Sequence, residues 1–567
     1  MLRVPSSTGV RWLARHFAVQ AKLNRQLRRV SEEEFFELAR TQAKDMDLAN
    51  VVVSLGRIAK MSDASSGLSD SAKTAELLLS SATNGLVASS SSWHSLTNLG
   101  WALCRLDVSD QLRQAVMDQI LQRAMALGLE TAPGRDLPVL LWALAMAQRQ
   151  GTELVLTSLL KDLWRTLLLR LSEVPPQGLA MLLWSFAALD SDWPVPKQTY
   201  GAVLEQVERE IGQLKAREVA NITWSVATVQ AAMPTWLLEE LPEHAAQFGP
   251  QECANVLWSL AVTAQVETME SLLPCLDGGV ALADFSHWKP QEMASAAWAL
   301  AIVLQRRPGQ SNRSRLDLLG RLRQEAMAKV DELDGKELSM LSSALVPGED
   351  DNLATRIMER AMGLHAKCQL APDAVMQLRD HLHRMGMVCS LESAAEQLED
   401  EALESLKKGD DVAAALQRLK LTCLGQRTES LLRRLGVTVG VPDEAAEDLS
   451  QAAAFGQVLC LVSYALQLGD ESLTEAGRVV ASGGKASGGV PLKAVILRYP
   501  RERDAEFLAL SSVLETLSQV PAVSLRDVTG QLQLHVTHTP CLSCVWAMVQ
   551  FREACPNVQL QVTFDSG

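Results

Sequence analysis

The sequence predicts a mainly α-helical protein: a right-handed α-solenoid of about eight two-helix repeats, followed by a small α/β domain. Two observations indicate the solenoid. Tryptophan returns at intervals of about 40 residues, and the same order of small and large apolar residues follows each one. A third observation indicates the α/β domain, because strand and helix patterns alternate in residues 476–567.

The repeat is clearest in the segment Gln251–Ala264, whose apolar residues fall on one helical face. Its tryptophan slot is filled along the chain by Trp101, Trp142, Trp184, Trp224, Trp258 and Trp298. Weaker copies place Val53 and Ser343 in that slot. The next residue is Ala or Ser in every copy and the one after it is large and apolar, so we expect the helices to stack closely, each Trp lying against a shallow neighbour.

Composition excludes several classes of protein. The chain of 567 residues has a net charge of −14, so any contact with nucleic acid must come from local patches. Its ten Cys are scattered except for Cys541 and Cys544, which suits a reducing compartment rather than a disulfide framework. No apolar run reaches the roughly 20 residues that span a bilayer, so no membrane partner is predicted.

Residues 1–31 carry seven Arg or Lys and no acidic residue. Apolar residues, among them Trp12, Leu13 and Phe17, are interleaved with the charges. An Arg-rich, acid-free and amphipathic leader is typical of an organelle transit peptide, which predicts a mitochondrial or plastid location. The alternative is a disordered basic tail.

Three further regions are predicted: residues 40–385 as the helical-repeat array, 386–475 as a helical cap or linker, and 476–567 as the α/β domain. In the cap we expect helices at Leu391–Lys408, Val412–Leu421, Glu429–Leu435 and Ala445–Leu468. In the last domain we expect strands at Pro491–Tyr499, Gln531–Thr537 and Val558–Phe564, with helices at Asp504–Leu517 and Cys541–Ala554.

The array is acidic overall, but the run Arg306–Arg323 is basic. Its candidate phosphate-binding residues are Arg306, Arg307, Arg313 and Arg315. The alternative interpretation is a solvated loop and helix face. Asn occurs three residues before the tryptophan slot in four copies, and there we expect hydrogen bonds between helices rather than base recognition.

The lines Val219–Ala227 and Cys253–Ala261 read V-A-N-I-T-W-S-V-A and C-A-N-V-L-W-S-L-A. This motif resembles the octotricopeptide and heptatricopeptide-type repeats of organelle RNA-binding proteins, whose helices carry L-A-N-x-x-W-A-L-A. The resemblance implies that single-stranded organelle RNA lies along the array, about one nucleotide per repeat, with other RNA-processing proteins as further partners. A protein–protein scaffold is the alternative, since helical arrays serve both uses.

The segment Thr539–Cys544 places the thiols of Cys541 and Cys544 at i and i+3 on the first turn of a predicted helix. Two thiolates at that spacing are able to converge on one Zn²⁺. Upstream, Asp504 and Glu506 open another predicted helix with two carboxylates. The alternative is that no metal binds and that the two Cys are ordinary small buried residues.

This arrangement resembles the zinc-dependent cytidine deaminase-like superfamily, with H-A-E on one helix and P-C-x-x-C on the next, and most closely its bacterial toxin-related branch. The resemblance implies that Cys541 and Cys544 bind zinc and that Glu506 relays protons during deamination of cytosine or adenine. Asp504 stands where the family has its His ligand, which would make bound water less acidic. His538 is a further candidate ligand. A degenerate, non-catalytic domain in an RNA stability or processing factor is the alternative.

Overall fold

The structure is a computed structural model that describes residues 19–565 with internal gaps. The gaps are residues 63–68, 91, 155–156, 190–194, 230, 278, 280–281, 283, 307–312, 388–390, 409–410, 453–457, 469–473, 483–491, 493–503 and 520–523. The predicted strand Pro491–Tyr499 therefore lies outside the described residues, apart from Leu492. The described part is mainly helical, with a small mixed sheet near the C-terminus.

The chain divides into two compact units, Met1–Glu240 and Leu241–Gly567. The first contains α1 (Glu32–Gln42), α2 (Leu48–Ser62), α3 (Ser69–Ser81), α4 (Trp93–Leu103), α5 (Asp110–Leu127), α6 (Leu137–Arg149), α7 (Thr157–Arg170), α8 (Pro176–Leu189), α9 (Lys197–Arg209) and α10 (Ala216–Thr228). Helix α11 (Thr235–His244) contains the boundary. No helix in the described part of the chain has the length and apolar composition needed to cross a membrane.

In the first unit, the helices that carry the repeat motif lie side by side. Helix α2 packs on α4, α4 on α6, α6 on α8 and α8 on α10. At Gly100 the approach is so close that an added Cβ atom would lie 3.1 Å from the Cβ atom of Ala143. The small residues after each Trp, such as Ala143 and Ser185, are buried between the helices. The predicted close stacking of repeat helices is therefore confirmed within this unit.

The second half of the basic N-terminal segment belongs to the same packing. Residues 19–29 form a helix in which Leu23 and Leu27 are buried. Arg57 of α2 donates hydrogen bonds to the carbonyl oxygens of Leu27 and Val30, both at 2.7 Å. Positions 1–18 lie outside the described residues, and the transit peptide stays a prediction.

The second unit continues with α12 (Pro250–Val262), α13 (Val266–Asp277), α14 (Pro290–Arg306), α15 (Arg313–Lys329), α16 (Gly335–Ser343), α17 (Asp351–Ala366) and α18 (Pro372–Arg384). Its later helices are α19 (Leu391–Leu406), α20 (Val412–Leu419), α21 (Thr428–Arg434), α22 (Glu444–Ala452), α23 (Ala505–Ser518) and α24 (Leu542–Ala554). Helices α12, α14, α16 and α18 again pack in succession, and α19 packs on α18.

Three of the four helices predicted in the cap are confirmed as α19, α20 and α21, and ion pairs hold α19 against α21. Glu399 is 2% exposed. It accepts hydrogen bonds from Arg427 at 2.7 Å, Arg434 at 2.9 Å and the hydroxyl of Ser430 at 2.7 Å. A buried carboxylate is tolerated because each oxygen has charged or polar donors.

The helix predicted at Ala445–Leu468 is wrong in its second half. Helix α22 ends at Ala452, and Leu459–Leu468 form a strand. This strand lies between two others and contributes buried residues to both sheet faces, so its apolar run lacks the alternation that marks a half-buried strand. Periodicity alone does not separate such a run from a buried helix.

The sheet consists of β1 (Thr438–Val439), β2 (Leu459–Leu468), β3 (Thr474–Ser482), β4 (Val528–Val536) and β5 (Val558–Phe564), in the order β1-β5-β4-β2-β3. Strand β5 is parallel to β1 and β4, whereas β2 is antiparallel to β4 and β3. The strands β4 and β5 and the helices α23 and α24 confirm the predicted elements. Since β2 precedes residue 476, the sheet begins upstream of the predicted domain start.

One hydrophobic core joins the cap helices to the sheet. Leu416 of α20 and Leu431 of α21 belong to the same buried cluster as Phe507 of α23, Leu534 of β4 and Phe551 of α24. Helices α23 and α24 cover the face of the sheet to which Leu534 belongs. Helix α22 contacts the opposite face. The α/β elements therefore share their core with residues well before position 476.

The contact at Gly100 makes a prediction about stability. We expect Gly100→Leu to destabilise the protein by about 1–3 kcal/mol, because the new side chain would enter the space that Ala143 fills. Gly201→Leu on α9 is the matched control, since no atom lies within 4 Å of a Cβ atom added there. Urea unfolding followed by circular dichroism measures both; equal stability of the two variants would contradict the packing described for α4 and α6.

Candidate metal centre

Two helix N-termini meet at the predicted site. Asp504 is the N-cap residue of α23 and Cys541 is the N-cap residue of α24, with Cys544 in the first turn of α24. Neither N-cap side chain accepts a hydrogen bond from its own helix. Because α23 and α24 pack against each other, the three side chains lie close together between the two helix ends.

The carboxylate of Asp504 and the thiols of Cys541 and Cys544 form a triangle. The Sγ atoms of the two Cys are 3.5 Å apart. Oδ2 of Asp504 lies 3.5 Å from Sγ of Cys541 and 3.3 Å from Sγ of Cys544. Among the described residues, these three are the group of His, Cys, Asp or Glu side chains whose ligand atoms lie within 4.8 Å of one another.

These distances suit a tetrahedral zinc ion. With Zn–S bonds of about 2.3 Å and Zn–O bonds of about 2.1 Å, the edges of a tetrahedron are about 3.8 Å between sulfurs and about 3.6 Å between sulfur and oxygen. The observed separations are within about 0.3 Å of these values. Two thiolates and one carboxylate leave a fourth position for water, as in catalytic zinc sites.

The surroundings disfavour a thiolate in the absence of a cation. The pKa of Cys544 is raised well above its ordinary value by the hydrogen bond with Cys541, by burial, and by the negative charges of Glu506 and Asp504. A divalent cation would reverse this balance, because it neutralises the thiolates and the carboxylate that bind it. The donor set therefore fits a metal, and thiolate ligands favour Zn²⁺ over Mg²⁺ or Ca²⁺.

Glu506 lies beside the triangle without belonging to it. It stands two residues after Asp504 on α23 and is 4% exposed. Its negative charge contributes to the raised pKa of Cys544 on α24 and of Cys460 on β2. A buried carboxylate next to a metal position is suited to proton transfer. The role assigned to Glu506 stays a prediction.

His538 is not brought into the group. Its ring is partly exposed, and Nδ1 lies 3.4 Å from the hydroxyl of Thr537. Its ring nitrogens are not among the ligand atoms that cluster with Asp504, Cys541 and Cys544 in the described part of the chain.

The structure does not describe the side chains of the four candidate phosphate-binding residues in the basic run. These residues are Arg306, Arg307, Arg313 and Arg315, and their role stays a prediction. Two later members of the run make structural contacts. Arg321 lies with its guanidinium 4.8 Å from the ring centroid of Phe285. Arg323 forms an ion pair with Asp350 at 3.2 Å, with both side chains largely buried.

Sequence reasoning missed a segment that braces the N-terminus of α24. The carbonyl oxygen of Thr422 accepts the backbone N–H of Leu542 at 2.9 Å. The backbone N–H of Thr422 donates to Oδ1 of Asp373 at 2.8 Å, and its hydroxyl donates to Oδ2 at 2.5 Å. Asp373 lies in the first turn of α18. This chain of hydrogen bonds ties the two-cysteine turn to a helix of the repeat array.

Cys423 follows in the same segment and is a third thiol near the centre. It lies 3.6 Å from the carbonyl oxygen of Pro540 and accepts the backbone N–H of Gly425 at 3.3 Å. Burial raises its pKa to about 11, and the charge of Cys541 contributes to the same shift. No spacing pattern in the sequence links Cys423 to the two-cysteine turn, because its approach to Pro540 depends on the fold.

The opposite face of the sheet carries a separate polar depression around His535. This ring is 3% exposed. Its two nitrogens contact the hydroxyls of Ser450 and Thr563, both at 2.9 Å. Burial lowers the pKa of His535, so the neutral ring is favoured. None of the candidate zinc or catalytic residues lines this depression, and its hydrogen bonds explain His535 as part of the core.

Comparisons with known proteins identify no relative of this chain. No protein family model matches the chain, and no curated protein matches it.

The triangle predicts that the protein contains zinc. We expect the full-length chain, purified without chelators, to hold about one Zn²⁺, and Cys544→Ala to weaken zinc binding by at least about 100-fold through the loss of one ligand. Cys555→Ala is the matched control, because Cys555 is buried just beyond the other end of α24. Elemental analysis and chelator competition provide the measurement. Equal zinc content in both variants would contradict the site.

The bracing segment predicts a weaker, indirect effect. We expect Asp373→Ala to lower zinc affinity about tenfold, because Thr422 would no longer be fixed against the first turn of α24. The matched control is Asp351→Ala, which removes a comparable contact to the backbone of Gly348 at 3.0 Å at the start of α17. Chelator competition on folded protein measures both variants, and an unchanged affinity for Asp373→Ala would disprove the bracing.

Proposed function

We propose that this chain is an organelle RNA-binding protein of RNA processing or editing whose C-terminal elements form a zinc-dependent nucleobase deaminase. The observation that carries the proposal is the meeting of Asp504, Cys541 and Cys544 beside the buried Glu506. All four residues stand at positions where the sequence resembles a deaminase site. The packing of α23 on α24 supports the proposal by placing them in one location.

Asp504, Cys541 and Cys544 would hold the zinc ion. When bound, zinc supplies Lewis-acid activation of a water molecule. Glu506 would accept a proton from that water and donate it to the departing amine. The reaction forms a C–O bond at C4 of cytosine or C6 of adenine, breaks the C–N bond and releases ammonia. Glu506 is buried, so bulk solvent does not compete with it for the proton.

The proposed RNA binding is supported by the repeat motif and by the basic leader, which together favour an organelle RNA-binding protein. The packing of α4, α6, α8 and α10 also provides a row of similar helices on which a strand is able to lie. A single-stranded substrate suits a deaminase, because a base inside a duplex has to be extruded before its amine is reached.

One observation favours a second candidate, a non-catalytic RNA stability or processing factor. Asp504 adds a negative charge where the related enzymes have a neutral His, and Glu506 adds another close by. A more negative site makes water harder to ionise. In this candidate the zinc stabilises the fold, and the domain serves for docking rather than catalysis.

The deaminase proposal predicts the effect of Glu506→Gln. We expect this substitution to lower deamination of single-stranded RNA by about 100- to 10,000-fold, because the amide does not relay a proton, while zinc content is retained. Glu515→Gln, a partly exposed position on the same helix, is the matched control. Mass spectrometry of the released nucleosides detects the uridine or inosine produced.

Two outcomes would overturn parts of this proposal. Equal activity of Glu506→Gln and wild type would exclude the proton relay. A zinc-loaded wild type that binds RNA and deaminates neither base would leave the non-catalytic factor as the function.

A further inference from the structure

The first unit displays a row of tryptophan rings on helices whose repeat pattern predicts packing. Trp101, Trp142, Trp184 and Trp224 lie on the successive helices α4, α6, α8 and α10, and all four are partly exposed. We call these four residues the tryptophan ladder. The ring centroids of Trp142 and Trp184 are 6.2 Å apart, and those of Trp184 and Trp224 are 6.4 Å apart with planes inclined by 24°.

The ladder is exposed because other residues fill the space between the helices. Ala143, Leu144 and Ala145 follow Trp142, and each is at most 1% exposed. Successive residues of a helix point about 100° apart, so the helix turns Trp142 away from this buried contact. The rings of Trp142, Trp184 and Trp224 therefore lie next to one another along the edge of the packed layer, and all four rings of the ladder leave part of their surface to solvent.

Cationic and polar groups accompany the rings. The guanidinium of Arg105 lies 5.1 Å from the ring centroid of Trp101, and that of Arg149 lies 5.7 Å from the centroid of Trp184. Asn98, one turn before Trp101, is partly exposed and donates to the carbonyl oxygen of His94 in its own helix at 2.7 Å. The hydrogen bond between helices that the sequence analysis expected at this Asn is therefore not what the structure shows.

The distribution of charge distinguishes this face from the rest of an acidic protein. Helices α4, α6 and α8 contain no acidic residue, and in α10 the carboxylate of Glu218 is bound to the backbone N–H of Lys215 at 2.6 Å. The acidic residues of the unit's partner helices α5, α7 and α9 are Asp110, Asp118, Asp162, Glu205 and Glu208. Carboxylates are thus displaced from the helices that present the indole rings.

We propose that the tryptophan ladder is a binding surface for single-stranded RNA, with bases stacked on the indole rings and phosphates paired with Arg105 and Arg149. Aromatic rings that alternate with guanidinium groups are the combination used for unpaired nucleic acid, because every base offers a π face and every phosphate a charge. The shortage of acidic groups on these helices favours a polyanion over a basic protein partner. This inference rests on the proposed RNA binding and specifies where it occurs.

Crosslinking tests the location directly in the unmodified full-length chain. The probe is an unstructured, mixed-sequence single-stranded RNA, and ultraviolet-crosslinked peptides are identified by mass spectrometry. We expect crosslinked peptides from α4, α6, α8 and α10 that contain the ladder residues. An excess of the same RNA in duplex form should compete weakly, because paired bases do not expose their faces for stacking.

Two variants provide an independent measurement. Arg149→Glu should weaken RNA binding about tenfold, and Trp184→Leu about five- to one-hundredfold, as judged by fluorescence anisotropy. Arg149 is exposed, so its variant should keep the wild-type unfolding temperature. Arg209→Glu on α9 is the matched control, because Arg209 is exposed and pairs with Glu205 and Gln206 of its own helix.

The outcomes separate this inference from the proposed function. RNA that binds and crosslinks only outside the ladder, with Arg149→Glu and Arg209→Glu equal in affinity, would overturn the ladder and leave RNA binding intact. The absence of crosslinks and of measurable affinity in the wild type would overturn RNA binding itself, and the ladder with it.

Discussion

The close approach of one carboxylate and two thiols is the constraint on which the candidate metal centre depends. The N-termini of α23 and α24 bring one carboxylate and two thiols to within 3.5 Å of each other, and Glu506 stands beside them inside the core. Helix N-termini favour negative groups, but the dipoles of two helix ends are small compared with the charge of several ionised ligands. A divalent cation would neutralise these groups once they are ionised, so the cluster is compatible with a zinc site.

The sheet explains how residues far apart in sequence reach this position. Strands β2 and β3 form an antiparallel pair ahead of α23, and α24 connects the parallel strands β4 and β5. Both helices lie on the same face and share a core with α20 and α21. Thr422 then links the start of α24 to Asp373 of α18. The site is therefore supported by the end of the repeat array as well as by the sheet, and full-length protein is the appropriate material for its study.

The sequence was sufficient for features that depend on local pattern. The spacing of tryptophan and the small residues after it predicted the packed helices, and the C-x-x-C spacing with Asp504 and Glu506 predicted the cluster. Features that depend on tertiary contacts were not accessible. Strand β2 was taken for a helix because a run buried on both faces has no alternation. Thr422 acts through its backbone, which no side-chain pattern records. The exposure of Trp142 is determined by how closely neighbouring helices approach, and a repeated apolar residue is ordinarily assigned to the core.

The central claim concerns the ligands around one metal ion, and X-ray absorption at the zinc edge of the zinc-loaded full-length protein tests it most directly. We expect two sulfur neighbours at about 2.3 Å together with oxygen or nitrogen neighbours at about 2.0–2.2 Å. A first shell without sulfur, or one made of four sulfurs, would contradict a centre built from Asp504, Cys541 and Cys544.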